Sequence, residues 1–167
     1  GGKDATLAAL DKKTGKTIWT TKGLSDEAGY CSPVLLKTDG IDLIVTVTAK
    51  NIVGVDSENG NVMWTHPNKL HKGKPRSVNP NTPIFTNDGV YVTTRFTGGV
   101  KLKISKDGKS YSNQWQNTKL DNHHGGVVLV DGYIYGSDFR GNWMCLNWNT
   151  GNTKYKQKWT GKGSSCY

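Results

Sequence analysis

Four tryptophans, Trp19, Trp64, Trp115 and Trp159, recur at intervals of 45, 51 and 44 residues, each behind an apolar run and a polar, glycine-bearing turn. A spacing of that length means that one supersecondary unit has been repeated along the chain. The two sharpest copies run Ala9-Leu10-Asp11-Lys12-Lys13-Thr14-Gly15-Lys16-Thr17-Ile18-Trp19 and Gly54-Val55-Asp56-Ser57-Glu58-Asn59-Gly60-Asn61-Val62-Met63-Trp64. In both, Asp, Gly and Trp stand at the same offsets.

The repeated unit is built from strands. No stretch carries apolar residues at i, i+3, i+4 and i+7 over three turns, whereas residues 43–48 and 90–94 are β-branched and aromatic. In the second unit, residues 32–36, 42–47, 52–56 and 61–65 read as four successive strands. Residues 83–86, 90–93, 99–103 and 112–115 repeat the pattern, and so do 127–130, 133–136, 142–146 and 156–159. Asp39-Gly40, Asp88-Gly89 and Asp131-Gly132 suit the left-handed backbone of the first hairpin in each. Four antiparallel strands in roughly 45 residues make a propeller blade. A β-sandwich would also use many short strands, but it gives no reason for a tryptophan at one fixed place in every unit. The fold expected is therefore an all-β β-propeller of four-stranded antiparallel blades.

The blades expected are residues 1–22 (third and fourth strands only), 29–66, 80–117, 124–160, and the lead into another at 163–167, within one partial domain. That is about half of a seven- or eight-bladed ring, so the natural protein is expected to continue at both ends. Asp11, Gly15, Trp19, Asp56, Gly60, Trp64, Trp115, Gly151 and Trp159 are read as structural pins: glycines supply positive φ, and indoles cover the core between blades.

Charge and composition narrow the function. Lysine and arginine number 22 against 13 acidic residues, a net charge of +9 that favours anionic partners and solubility. Cys31, Cys145 and Cys166 are odd in number and lack C-x-x-C spacing, so neither a zinc site nor a disulfide framework is indicated. No apolar run is long enough to cross a bilayer, and Gly1-Gly2-Lys3-Asp4 offers neither initiator Met nor signal sequence, as expected of a processed or excised piece. No recognition helix and no basic run interleaved with aromatics points to nucleic acid.

The repeat resembles the quinoprotein-type β-propeller family, which includes alcohol dehydrogenases that use pyrroloquinoline quinone (PQQ) and the non-catalytic BamB lipoprotein of outer-membrane assembly. The family's tryptophan-docking pattern, A-x-D-x-x-T-G-x-x-x-W, is met in full by Ala9, Asp11, Thr14, Gly15 and Trp19. Asp56, Gly60 and Trp64 meet it with Gly54 and Asn59 replacing Ala and Thr. The later copies depart: Gly108 lies seven residues before Trp115, and Gly151 eight before Trp159, with Asn147 in the Asp position. The resemblance implies a periplasmic, outer-membrane-associated or secreted protein. A quinone-dependent member would further imply adjacent cysteines, a calcium held by Glu, Asn and Asp, and a catalytic Asp; adjacent cysteines are absent.

Antiparallel strands send the turns between strands two and three, and the links between blades, to one end of the blade. The longest link, residues 66–82, holds His66, Lys69, His71, Lys72, Lys74 and Arg76 without a carboxylate. Loops of that length in compact repeats are commonly functional. Lys50, Arg95 and Arg140 fall on the same end, with Asp121, Asn122, His123 and His124. The expected ligand is an anionic small molecule, a glycan or an acidic protein surface; the remaining blades of the same protein are a further partner. Adjacent histidines on an extended segment should point to opposite sides, so no metal site is expected. The leading function is a non-enzymatic binding or scaffolding propeller with no cofactor. The alternative is a PQQ- and calcium-dependent dehydrogenase with Arg95, Arg140 or Asp138 near the channel.

Overall fold

The computed structural model describes residues 4–68, 78–159 and 161–167, and every strand and helix assignment among them is a strand. β1 (Ala8–Leu10) and β2 (Thr17–Thr20) form a two-stranded sheet. β3 (Val34–Leu36), β4 (Leu43–Val47), β5 (Asn51–Asp56) and β6 (Val62–Pro67) form a four-stranded antiparallel meander in chain order. So do β7 (Ile84–Thr86), β8 (Gly89–Thr94), β9 (Gly98–Ile104) and β10 (Tyr111–Asn117), and then β11 (Val128–Val130), β12 (Tyr133–Ser137), β13 (Asn142–Asn147) and β14 (Thr153–Lys158).

Sheets stack face to face in sequence. Leu43, Val45, Ile52 and Trp64 of the second sheet bury against Val90, Val92, Leu102 and Ile104 of the third. Tyr91 on the third meets Ile134, Met144, Leu146 and Trp148 from the fourth. The middle strands β8 and β9 are buried on both faces, which accounts for their near-continuous apolar and small residues. The chain is thus a stack of all-β propeller-type blades. Most strand limits differ from the sequence reading by one or two residues, and β14 begins three residues earlier, at Thr153. β3 begins at Val34, because Pro33 has no N–H to give a ladder. β14 ends at Lys158, leaving Trp159 beyond the last paired residue.

Indoles join the sheets. Trp19 donates Nε1–H to Ser57 O at 3.0 Å, and Trp115 donates to Trp148 O at 2.9 Å. Each acceptor directly follows the turn's first residue, Asp56 or Asn147. That residue's own carbonyl receives the N–H of Gly60 or Gly151. Both glycines have positive φ (+78° and +70°), and a Cβ on either would stand 2.5 Å from a carbon of the docked ring. Only glycine fits there. Trp64 lies against Gly54 of its own sheet and donates to Gly108 O at 3.3 Å, so the longer 105–110 turn receives its indole through a different carbonyl. Trp64 is buried, and truncating such a residue costs about 3–5 kcal/mol. Trp159, after the last strand, is 58% exposed, bonds Gln157 Oε1 and lies 6.3 Å from the Trp143 ring.

A charged joint reinforces the third and fourth sheets. Lys101 on β9 has a fully buried side chain whose Nζ lies 2.8 Å from Asp88 Oδ2 and 4.1 Å from the centre of the Trp148 ring. Trp148 Nε1 donates to the other Asp88 oxygen at 2.9 Å, and Thr86 donates there too. Burial opposes ionisation of Asp88, but hydrogen bonds from Lys101, Thr86 and Trp148 and the lysine's charge outweigh it and hold the carboxyl at about 2.

Two outcomes follow from these joints. Gly132 and Gly151 share positive φ (+77° and +70°), yet a Cβ at Gly132 meets nothing. Alanine at either costs about 1–2 kcal/mol in backbone strain, and Gly151→Ala adds about 1–3 kcal/mol from the indole it displaces. Urea unfolding of the two variants should separate them by that added amount; equal losses contradict the docking. Asp88 has a folded value below its ordinary 3.8, so its contribution is complete above that value and disappears as pH falls through about 2. Unfolding free energies of wild type and Asp88→Asn should therefore converge over that window. Above it the variant should lose about 2–4 kcal/mol, less than for a fully buried pair because Asp88 is half exposed. Parallel curves would refute the joint.

Candidate functional site: a cationic and aromatic cluster

Two turns at one end of the stack carry the site. Residues 95–97 link β8 to β9, and residues 138–141 link β12 to β13. Buried asparagines tie these turns to the links between sheets. Asn81 Nδ2 donates to Thr93 O and Asn122 O, and Asn122 Nδ2 donates to Ser137 O. Thr93 Oγ1 donates to Leu120 O at 2.6 Å, and Phe139 N donates to Asp121 Oδ1 at 3.1 Å. Asp138 shapes its own turn by accepting from Arg140 N, Asn142 N and Asn142 Nδ2, and it pairs with Lys156 at 2.8 Å. Phe96 takes a φ of 74°, unusual for a bulky side chain, which places its ring beside the neighbouring turn.

On this frame Arg95 is held against two aromatic rings that also touch each other, with centroids 5.7 Å apart. Its Cζ lies 3.6 Å from the centre of Phe139 and 4.1 Å from that of Phe96. Lys162 Nζ stands 3.6 Å from the same Phe139 centre. His123 meets Phe139 edge-on at 5.6 Å, and its ring is 4.8 Å from that of His124. Among the described residues no carboxylate pairs with Arg95 or Lys162, and Arg95 Nε is buried without an acceptor. The ring faces take the place of a counter-ion, each worth about 0.5–2 kcal/mol. Partial burial first, then the charges of Arg95, His124 and Lys162, lower the His123 imidazole below its ordinary value. An anion set among these groups would meet charge that the protein itself leaves unpaired.

Three sequence-predicted residues, Arg95, His123 and His124, come together here. Arg140 is exposed on the adjacent turn. Lys50 lies 3.8 Å from Asp26, and His66 packs edge-on against Tyr111, so neither adds to the cluster. Lys69, His71, Lys72, Lys74 and Arg76 lie outside the described residues. The histidines depart from the strand alternation expected of them: residues 121–127 are irregular, so both rings turn toward each other. Phe96, Phe139 and Lys162 were missed. The available signal was an aromatic beside an arginine in both turns, Arg95-Phe96 and Phe139-Arg140. Among the described residues no group of three or more His, Cys, Asp or Glu side chains could hold a metal ion.

The stacked four-stranded sheets define a propeller-blade protein. The chain belongs to the family described as outer membrane protein assembly factor BamB, which it matches over residues 2–157. No curated protein matches it. Among solved structures, BamB from Moraxella catarrhalis is 19% identical, with a TM-score of 0.56 over 93% of this chain and 44% of that one. The computationally designed Ika8 protein is 12% identical, with a TM-score of 0.65 over 98% and 47%. Quinohemoprotein alcohol dehydrogenase ADHIIG from Pseudomonas putida HK5 is 19% identical, with a TM-score of 0.58 over 83% and 22%. These likenesses show the fold, and the chain spans less than half the length of each structure.

Proposed function

We propose that this chain is a non-enzymatic binding propeller that holds an acidic partner on the face formed by Arg95, His123, His124 and Lys162. The observation that carries the reading is the Arg95 guanidinium, packed against both Phe96 and Phe139 with no carboxylate to neutralise it among the described residues. A guanidinium fixed in this way keeps its N–H edge directional, which suits planar carboxylates and sulfates. The family's description as an assembly factor favours an acidic protein segment over a metabolite, and a periplasmic or outer-membrane setting. A quinone-dependent oxidation has no such support. Asp138, placed near the channel under that alternative, is buried and already engaged by Lys156, Asn142 and two backbone N–H groups. The cysteines are not adjacent.

Calorimetric titration with a Glu-rich peptide and with a heparin-derived oligosaccharide, at low salt, tests the assignment. Arg95→Gln and Lys162→Gln should each weaken peptide binding about tenfold, with melting lowered by no more than the lost ring contacts and the strand amides still protected. Equal affinities for wild type and both variants would sink the reading, and a preference for the oligosaccharide would replace the protein partner by a glycan. The pH slope has a fixed sign. A bound anion favours the charged form of His123, which its neighbours disfavour in the free protein, so affinity should rise as pH falls from about 8 to about 5.5.

A further inference from the structure

The joint between the second and third sheets keeps a cleft at a place that the next joint fills with an indole. Leu102 on β9 pairs with Val90, and Leu146 on β13 pairs with Ile134, so Ile104 and Trp148, each two residues further on, hold matching places in their sheets. Both pack into the joint with the preceding sheet. Trp148 is buried there and reaches the β7–β8 turn, where its Nε1–H is received by Asp88. Ile104 is too short to do the same. Between it and the β3–β4 turn remains a cleft of about 460 Å³. Small-molecule sites commonly measure about 300–1,000 Å³.

The walls belong to two complete four-stranded sheets, and they are fixed to each other. Asp39 N donates to Lys106 O at 2.9 Å and Ile41 N to Asp107 O at 3.3 Å, which fastens the β3–β4 turn to the β9–β10 turn. A Cβ on Gly40 would stand 2.6 Å from Asp107 O, so the two turns approach as closely as glycine allows. A cleft held open in this way needs little ordering when a ligand enters. Leu36 and Ile104, both buried, supply its apolar floor.

Charge lies on the rim. Lys37 is engaged by Asp42 at 2.5 Å, and Asp88 by Lys101 and Trp148. Lys103 and Lys106 are exposed and, among the described residues, neither has a carboxylate partner. Asp39 opposes them as a rim carboxylate that likewise makes no ion pair among the described residues. Two free cations against one free carboxylate leave the mouth net positive, which favours an acid over an amine of the same shape.

We propose that this cleft binds a small aromatic carboxylate, with the ring on Leu36 and Ile104, where Trp148 sits in the next joint, and the carboxylate on Lys103 and Lys106. The β3–β4 and β9–β10 turns lie at the opposite end of the sheets from Arg95. The proposal therefore does not rest on the binding face described above.

NMR titration of the Leu36 and Ile104 methyl groups with indole-3-acetate, tryptamine and acetate tests the site. Indole-3-acetate should shift both residues and bind at least about tenfold more tightly than tryptamine or acetate. Lys103→Gln and Lys106→Gln should each weaken it about two- to fivefold, and Asp39→Asn should strengthen it by a similar factor. Ile104→Trp should abolish binding, read at Leu36, because the new side chain supplies the ring itself. Arg95→Gln should bind like wild type. Unshifted Leu36 and Ile104 methyls at millimolar probe, tryptamine or acetate binding equally well, lysine variants that match wild type, or loss of binding in Arg95→Gln would each overturn the proposal.

Discussion

An indole whose N–H is received by a turn of the following sheet is the constraint from which the rest of the structure follows. Each four-stranded meander buries one face against its predecessor and offers the other to its successor, so no sheet completes a core alone. Trp19, Trp64 and Trp115 convert that general need into a fixed alignment, because an N–H must reach one particular carbonyl. Burial supplies most of the energy, and the hydrogen bond supplies the register. The Lys101, Asp88 and Trp148 joint adds an electrostatic pin where Gly99 gives way to the Tyr91 ring and Trp115 packs at 5.3 Å from it.

The same alignment makes the cationic face possible. Arg95 and Phe139 belong to neighbouring sheets, and their 3.6 Å contact exists only if those sheets are held in register. Asn81 and Asn122 transmit the register to the turns, since their amides bond the carbonyls at which β8 and β12 end. Structure and site thus separate along each strand: regular turns with glycines take the indoles at one end, and irregular turns carry unpaired cations at the other.

Legibility in the sequence divides along the same line. Period-2 runs, Asp-Gly turns and the tryptophan spacing depend on local chemistry, and they made the meanders readable, with strand limits mostly within one or two residues. Arg95, His123 and His124 were readable as basic residues on one end. Their packing partners Phe96 and Phe139 were not, since an aromatic in a turn reads the same whether it is exposed or packs against a guanidinium. Lys101 is similar: nothing in Val100-Lys101-Leu102 distinguishes a solvated lysine from one wholly buried on Asp88.

Hydrogen exchange of the indole N–H groups, followed by NMR in dilute solution, tests the docking account most directly. Trp19, Trp64 and Trp115 should be protected like the backbone amides of the sheets they join, and Trp159 should exchange close to the solvent rate. Docked indoles that exchange as fast as Trp159 while strand amides remain protected would contradict it.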